Sequence, residues 1–258
     1  MNRIRIAFFD IDGTLVNFHS KQISEKTLEA LTRLQAQGVI LCLATGRSPL
    51  ALPYFPGIQF DAFLTFNGSY CFDSHQVLFS NPIPHQDIQK LVNNSAIINR
   101  PICIATKNRL AANGTDKDLA DYFEIGGVEL KIAEDFDELL HEEIYQVMMG
   151  CYPSEYSSVM KDIHHAKIAA WWDRAVDIIP ANGGKGVAIK KLLEHYCLDP
   201  SEAIAFGDGN NDIEMLQAVG TGVAMENASE QLKAVADKVC GHVAQDGIYH
   251  YCLEHGLI

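Results

Sequence analysis

The sequence predicts an α/β protein: a doubly wound parallel-sheet core carrying an inserted α/β domain. Three observations predict it. Short apolar runs at residues 4–9, 39–44, 62–66 and 203–206 each stop at polar residues or glycine. A helical pattern separates the first two runs, and strand, helix, strand with continuous apolar strands belongs to a parallel sheet covered on both faces. The interval from Thr45 to Lys185 is far too long for a loop and must hold structure of its own.

The first run ends in Asp10-Ile11-Asp12-Gly13-Thr14. On an extended strand residues i and i+2 share a side, so Asp10 and Asp12 are expected to face one site while Ile11 faces away. Two carboxylates this close need a cation between them or a shared proton. Residues 24–37 then read as a helix, with Leu28, Leu31 and Leu34 in register, Ser24 as its cap and Gly38 as its stop. The second run ends in Thr45-Gly46-Arg47 and the third in Asn67-Gly68.

Residues 83–182 are expected to form the inserted domain, and residues 1–82 and 183–258 the core. Inside the insertion, residues 102–106 and 109–112 flank a Lys107-Asn108 turn, and residues 145–152 and 168–172 read as further strands. Its borders, Asn81-Pro82-Ile83-Pro84 and Pro180-Ala181-Asn182-Gly183-Gly184, are rich in breakers and suit a two-stranded hinge. Beyond it, residues 185–197 carry an apolar stripe of Ala188, Ile189, Leu192, Leu193 and Tyr196. The fourth run opens into Gly207-Asp208-Gly209-Asn210-Asn211-Asp212, and a third helix passes through Met215, Leu216 and Val219. All these polar residues fall at the carboxyl ends of strands, where open α/β sheets bind ligands.

Composition narrows the function. With 33 acidic against 20 basic residues the chain has a net charge of −13 and no basic stripe for nucleic acid or an anionic membrane surface. No segment approaches the ~18 apolar residues of a membrane span, and the first apolar run is too short for a signal peptide and is broken by Asp10. Seven cysteines without any C-x-x-C pair suit reduced thiols, so a cytoplasmic protein is expected. Cys42 and Cys240 read as buried apolar fillers, and His164-His165 as a solvated helix end. An anionic substrate would then need positive charge supplied locally.

Known loop motifs do not fit. A calcium loop at Asp208 would require Gly where Ile213 stands and Glu where Val219 stands. A dinucleotide fingerprint would require Gly at Asp212. Gly183-Gly184-Lys185-Gly186 lacks the upstream Gly and the Ser or Thr of a P-loop. What remains is a cluster of hard oxygen ligands, which favours magnesium.

Taken together, Asp10-Ile11-Asp12-Gly13-Thr14, Thr45 within Ala44-Thr45-Gly46-Arg47, Lys185, and Gly207-Asp208 through Asn211-Asp212 resemble the four ordered motifs of the haloacid dehalogenase-like (HAD) hydrolase superfamily. Phe66-Asn67-Gly68 and Gly222-Val223-Ala224-Met225 with Asn227-Ala228 resemble its Cof-type phosphatases, which carry a large α/β cap after the third core strand. Gly184 stands where Ser or Thr commonly precedes the lysine, and Glu226 where Gly is usual.

The resemblance implies a Rossmann-like core and a magnesium-dependent phosphatase working through an aspartyl-phosphate. Asp10 would be the nucleophile and Asp12 the acid and base. Magnesium would be held by Asp10, the Asp12 carbonyl and Asp208, with Asp212 beside it. Ile11, Thr45, Gly46, Lys185 and Asn211 would bind the phosphoryl oxygens, supported by Arg47 and Asn67. Asn113, Trp172 and Arg174 are candidates for substrate contacts from the cap, and one of Trp171 and Trp172 could line a pocket.

The expected substrate is a small phosphorylated metabolite, sugar phosphates first and pyridoxal phosphate second. A phosphosugar mutase of the same superfamily and a non-catalytic phosphometabolite-binding protein are the alternatives. No feature of the sequence speaks to oligomeric state.

Overall fold

The computed structural model describes residues 3–17, 20–170 and 172–258, so Trp171 lies outside the described residues. In chain order the elements begin with β1 (Ile6–Phe9), α1 (Glu25–Ala36), β2 (Ile40–Ala44), β3 (Ala62–Thr65), β4 (Tyr70–Phe72) and β5 (Val77–Ser80). There follow α2 (His85–Ile97), β6 (Ile102–Ala105), β7 (Leu110–Ala112), α3 (Lys117–Gly126), α4 (Phe136–Leu139), β8 (Gln146–Gly150), α5 (Tyr156–Val159), β9 (Ala166–Ala169) and β10 (Ala175–Pro180). The chain ends with α6 (Lys185–Tyr196), β11 (Ala203–Gly207), α7 (Ile213–Gln217), β12 (Thr221–Ala224), α8 (Glu230–Val235), β13 (Lys238–Val239) and α9 (Gly247–Glu254). These form two compact units: residues 1–45, 53–79 and 184–258, and residues 46–52 with 80–183.

The first unit is built on an eight-stranded sheet in the order β13-β12-β11-β1-β2-β3-β4-β5. Its strands run parallel from β13 through β3, and β4 turns antiparallel to β3. Every residue of β1 and β11 is buried. Since alternate residues point to opposite faces, both faces are covered, as the continuous apolar runs require. Phe9 and Phe206 stack at 5.3 Å between the two central strands. The chain leaves β1 for β2 on one side and returns as β11 on the other, so the strand order reverses at β1. Asp10, Thr45 and Asp208 all follow strands at that point.

Helix α1 forms where its signals stand. The Ser24 hydroxyl accepts the Thr27 N–H at 3.0 Å, and Gly38 follows the helix with φ of 79°. It buries Thr27, Ala30, Leu31 and Leu34, leaving Leu28 half-buried at the edge of the stripe. The helix after Asp212 is short: a 3₁₀ turn at Asn210–Asp212 leads into the five residues of α7.

The second unit is an antiparallel sheet in the order β7-β6-β8-β10-β9. The β6–β7 hairpin is closed by Thr106, whose hydroxyl accepts the N–H groups of Asn108 and Arg109. Ile88 and Leu91 of α2 and Val159 of α5 join Ile102, Ile104, Val147, Met149, Val176 and Ile178 in one core. The two breaker-rich segments are tied by Asn81, whose Nδ2 donates to Asn182 Oδ1 at 3.2 Å. His164 and His165 are exposed but do not end a helix. They precede β9, because the buried Asp87 carboxylate accepts both their backbone N–H groups, at 3.2 and 2.7 Å.

The cysteines are all free. Cys42 and Cys240 are buried, as their reading as apolar fillers anticipates.

Candidate active site

Asp10 continues the strand pairing by one residue, its N–H donating to the Phe206 carbonyl at 3.0 Å. The chain then leaves the sheet. Leu15 and Val16 donate to the Ile11 carbonyl, and Gly13, with φ of 86°, donates to the Val16 carbonyl at 2.8 Å. A tight loop at 11–16, rather than an extended strand, therefore brings Asp12 near Asp10, and Gly13 supplies the left-handed turn it needs. Ile11 is fully buried, so its side chain belongs to the core rather than to a ligand site.

Lys185, the first residue of α6, is buried and inserted between two carboxylates. Its Nζ lies 2.6 Å from Asp10 Oδ1 and 2.6 Å from Asp212 Oδ1. The residue before it has φ of 129°, a conformation essentially confined to glycine. Gly184 stands where the resemblance expects Ser or Thr, and its backbone is one in which a side chain would be strained.

Among the described residues, Asp10, Asp208 and Asp212 form a group whose carboxylate oxygens lie within 4.8 Å of one another. The three are not equivalent. Asp212 Oδ2 accepts the N–H groups of Asp208 and Gly209, both at 3.0 Å, while its Oδ1 holds Lys185. Both its oxygens are occupied, which fits it to shape the loop and hold the lysine. Asp208 accepts the Thr14 hydroxyl on Oδ1 at 3.1 Å. The Thr14 bond spans 194 residues, and no local pattern in the sequence announces it.

Electrostatics set this group apart. Burial, helped by Asp212 and Asp12, pushes the Asp10 carboxyl up to about 7 against the pull of Lys185. Burial and the Asp10 charge push Asp208 well above the carboxylate range. Burial works against the Lys185 ammonium, but Asp10 and Asp212 outweigh it and hold its pKa above the ordinary value. One cation for three crowded carboxylates leaves excess negative charge, and hard oxygen donors in that state fit a divalent ion.

Thr45 is buried at the end of β2; its N–H donates to Leu64 and its carbonyl accepts the Asn67 N–H, at 2.9 Å each. Asn67 is buried with φ of 53°, and its Oδ1 accepts Asn211 Nδ2 at 3.0 Å. The structure therefore joins these two predicted residues across 144 positions. Gly46 and Arg47 belong to the second unit, where Arg47 donates to the Ala51 carbonyl at 3.0 Å.

The three candidates from the insertion have partners there. Asn113 pairs with Ile102, exchanging a backbone bond and accepting the Ile102 N–H on Oδ1 at 2.9 Å. Arg174 bonds Asp118 and Asp121 and lies 4.2 Å over the Trp172 ring. Glu226, the second departure, accepts the His242 N–H at 3.1 Å and closes its loop.

This chain is matched over residues 7–252 by the family model of the haloacid dehalogenase-like hydrolases. It belongs to that family. The HAD hydrolase is 34% identical over 258 residues to the Bacillus subtilis (strain 168) protein named "Putative phosphatase YkrA", covering 98% of both chains. It is 29% identical to the HMP-PP phosphatase of Yersinia pestis (strain Pestoides F), over 98% of this chain and 95% of that one. Its fold superposes on the HAD subclass IIB sugar phosphatase BT4131 with a TM-score of 0.89 at 28% identity, covering 98% of this chain and all of the other.

Proposed function

We propose that this HAD hydrolase is a magnesium-dependent phosphatase of small phosphomonoesters. The observation that carries the reading is Lys185 Nζ at 2.6 Å from Asp10 Oδ1, inside a carboxylate cluster at the end of the central strand. With Oδ1 engaged, the other oxygen of Asp10 attacks phosphorus in line and displaces the alcohol, forming an aspartyl-phosphate. Asp12 gives a proton to the departing oxygen and then takes one from the water that hydrolyses the acyl-phosphate. Lys185, Thr45, Asn211 and the backbone at Ile11 and Gly46 meet the negative charge of the phosphoryl group. Asp212 holds Lys185 and the 208–209 loop in place, and Asn67 orients Asn211. Asp10, Asp208 and the Asp12 carbonyl would hold magnesium, which neutralises carboxylate and phosphoryl charge when bound.

Sugar phosphates are the first substrate class and pyridoxal phosphate the second. The names of the relatives support a small phosphorylated metabolite, since one is a sugar phosphatase and one an HMP-PP phosphatase. Choice among such substrates is assigned to the second unit, with Trp172, Arg174 and Asn113 as first positions to vary.

The test is free phosphate released from p-nitrophenyl phosphate and a metabolite-phosphate panel, with magnesium or EDTA, by wild type and Asp10→Asn. Magnesium-dependent release by wild type alone is expected. Equal release by both proteins would remove Asp10 as nucleophile, and isomerised phosphosugar with little free phosphate would indicate a mutase.

A further inference from the structure

Asn227 belongs to the Cof-type resemblance, yet no step above uses it. Its side chain joins two loops far apart in sequence. Nδ2 donates to the Gly13 carbonyl at 2.8 Å, across 214 positions, and Oδ1 accepts the Val243 N–H at 3.0 Å. Val243 opens a 3₁₀ turn, Val243–Gln245, reached through His242, which the Glu226 carboxylate holds by its N–H. On its other side the loop carrying Asn227 is fixed to β11 and the residue after it: Met225 donates to the Gly207 carbonyl and Ser229 to the Asp208 carbonyl, at 2.9 and 3.0 Å.

The Gly13 carbonyl is a backbone group of the 11–16 loop that a distant side chain takes. The Ile11 and Val16 carbonyls accept from within the loop. Gly13 follows Asp12 directly and has the greatest rotational freedom in the segment. The Gly13 carbonyl belongs to the 13–14 peptide, and the 12–13 peptide is held by the Gly13 N–H on the Val16 carbonyl, so both peptides flanking the turn at φ of 86° are tied. The next residue, Thr14, is held by its hydroxyl to Asp208. The turn is thus clamped from two sides by residues that follow β11.

We infer that Asn227 is a positioning residue: by holding the Gly13 carbonyl it sets the place of Asp12 relative to Asp10. The inference rests on the phosphatase reading for its kinetic consequence, and on hydrogen-bond geometry alone for its structural one. Asn227→Asp and Asn227→Ala separate positioning from mere stabilisation. The carboxylate keeps the bond from Val243 but turns an acceptor toward the Gly13 carbonyl and repels it. Alanine loses both bonds and leaves the carbonyl to water.

Positioning therefore predicts that Asn227→Asp, which keeps the Val243 bond but opposes the Gly13 carbonyl, is the slower enzyme whichever variant has the lower Tm. Its kcat on p-nitrophenyl phosphate with magnesium is expected to fall about 10- to 100-fold, the usual cost of removing a second layer of support. KM should hardly move, because the residues assigned to phosphate binding are untouched. Crystal structures of the variants are expected to show the Gly13 carbonyl, and with it Asp12, displaced furthest in Asn227→Asp.

A wild-type kcat in folded Asn227→Asp, or rate losses that follow the loss of Tm with alanine the worse, would overturn the inference. If wild type itself releases no phosphate, the phosphatase reading fails, yet the crystal structures still decide: an unmoved Asp12–Gly13 turn in Asn227→Asp rejects the positioning role.

Discussion

The two units treat their acidic residues in opposite ways. At the strand ends of the parallel sheet, Asp10, Asp208 and Asp212 crowd around one buried ammonium, and burial raises the first two. In the second unit several acids are matched. Glu155 receives both Nε and Nη2 of Arg100, whose Nη1 reaches Asp116 and Asp118, and Arg109 forks onto Asp135. Arg100 holds Glu155 below the carboxylate range, and Lys117 with Arg174 does so for Asp121. Burial would raise Asp87, but the N–H groups of His165 and His164 outweigh it. Matched carboxylates hold structure. Unmatched ones keep stored repulsion that a bound cation would relieve.

The sharpest break of this contrast is Asp10→Asn. Phosphate release is expected to fall about 10⁴-fold or more, as for loss of a nucleophile, while Tm in EDTA at pH 8 does not fall, because a crowded charge has gone. Lys185→Met removes the ammonium from the cluster and leaves its carboxylates uncompensated. In EDTA it should cost about 3 kcal/mol of stability by denaturant titration and about 10²- to 10³-fold in kcat. Arg100→Met makes the matching test in the second unit. Unpairing its partly buried carboxylates should cost about 2 kcal/mol, and phosphate release per folded molecule should stay at the wild-type rate.

Acidity should move the units in opposite directions. Asp10 has its folded pKa raised from 3.8 to about 7, so its contribution is full below 3.8 and is lost as pH rises through about 7. Asp87 and Glu155 are lowered, so theirs is present above the ordinary carboxylate range and is lost as pH falls through the lower folded values. Hydrogen exchange in EDTA is expected to loosen the 10–16 and 207–212 loops toward pH 8 and the α2–β9 region toward pH 3. Magnesium should protect the first pair at pH 8 and leave the second region unchanged. The smallest effect is expected from Arg109→Ala, whose exposed pairing with Asp135 is solvent-screened; an unchanged Tm at 0.15 M salt is the outcome that fits.

Much of the site was legible because its chemistry sits at strand ends, where composition changes abruptly. Asp10, Thr45 and Asp208 each follow an apolar run, and Ser24 and Gly38 bracket α1 as their capping preferences demand. Asp10 and Asp12 do not meet as i, i+2 neighbours of one strand, since the strand ends at Phe9 and a loop brings the pair together. His164-His165 misled because the exposed side chains carried the pattern while the backbone N–H groups answered a buried Asp87 on another helix.

By itself the sequence determined four strands of the core sheet, the carboxylates at its strand ends and the deficit of positive charge around them, because apolar periodicity, caps and turn residues act within a few positions. Only the tertiary structure decided which groups meet. Lys185 reaches Asp10 across 175 positions, Asn211 reaches Asn67 across 144 and Asn227 reaches Gly13 across 214. Such bonds are set by the order in which parallel strands pair, with β11 returning beside β1, and that order depends on packing the whole sheet rather than on any one segment.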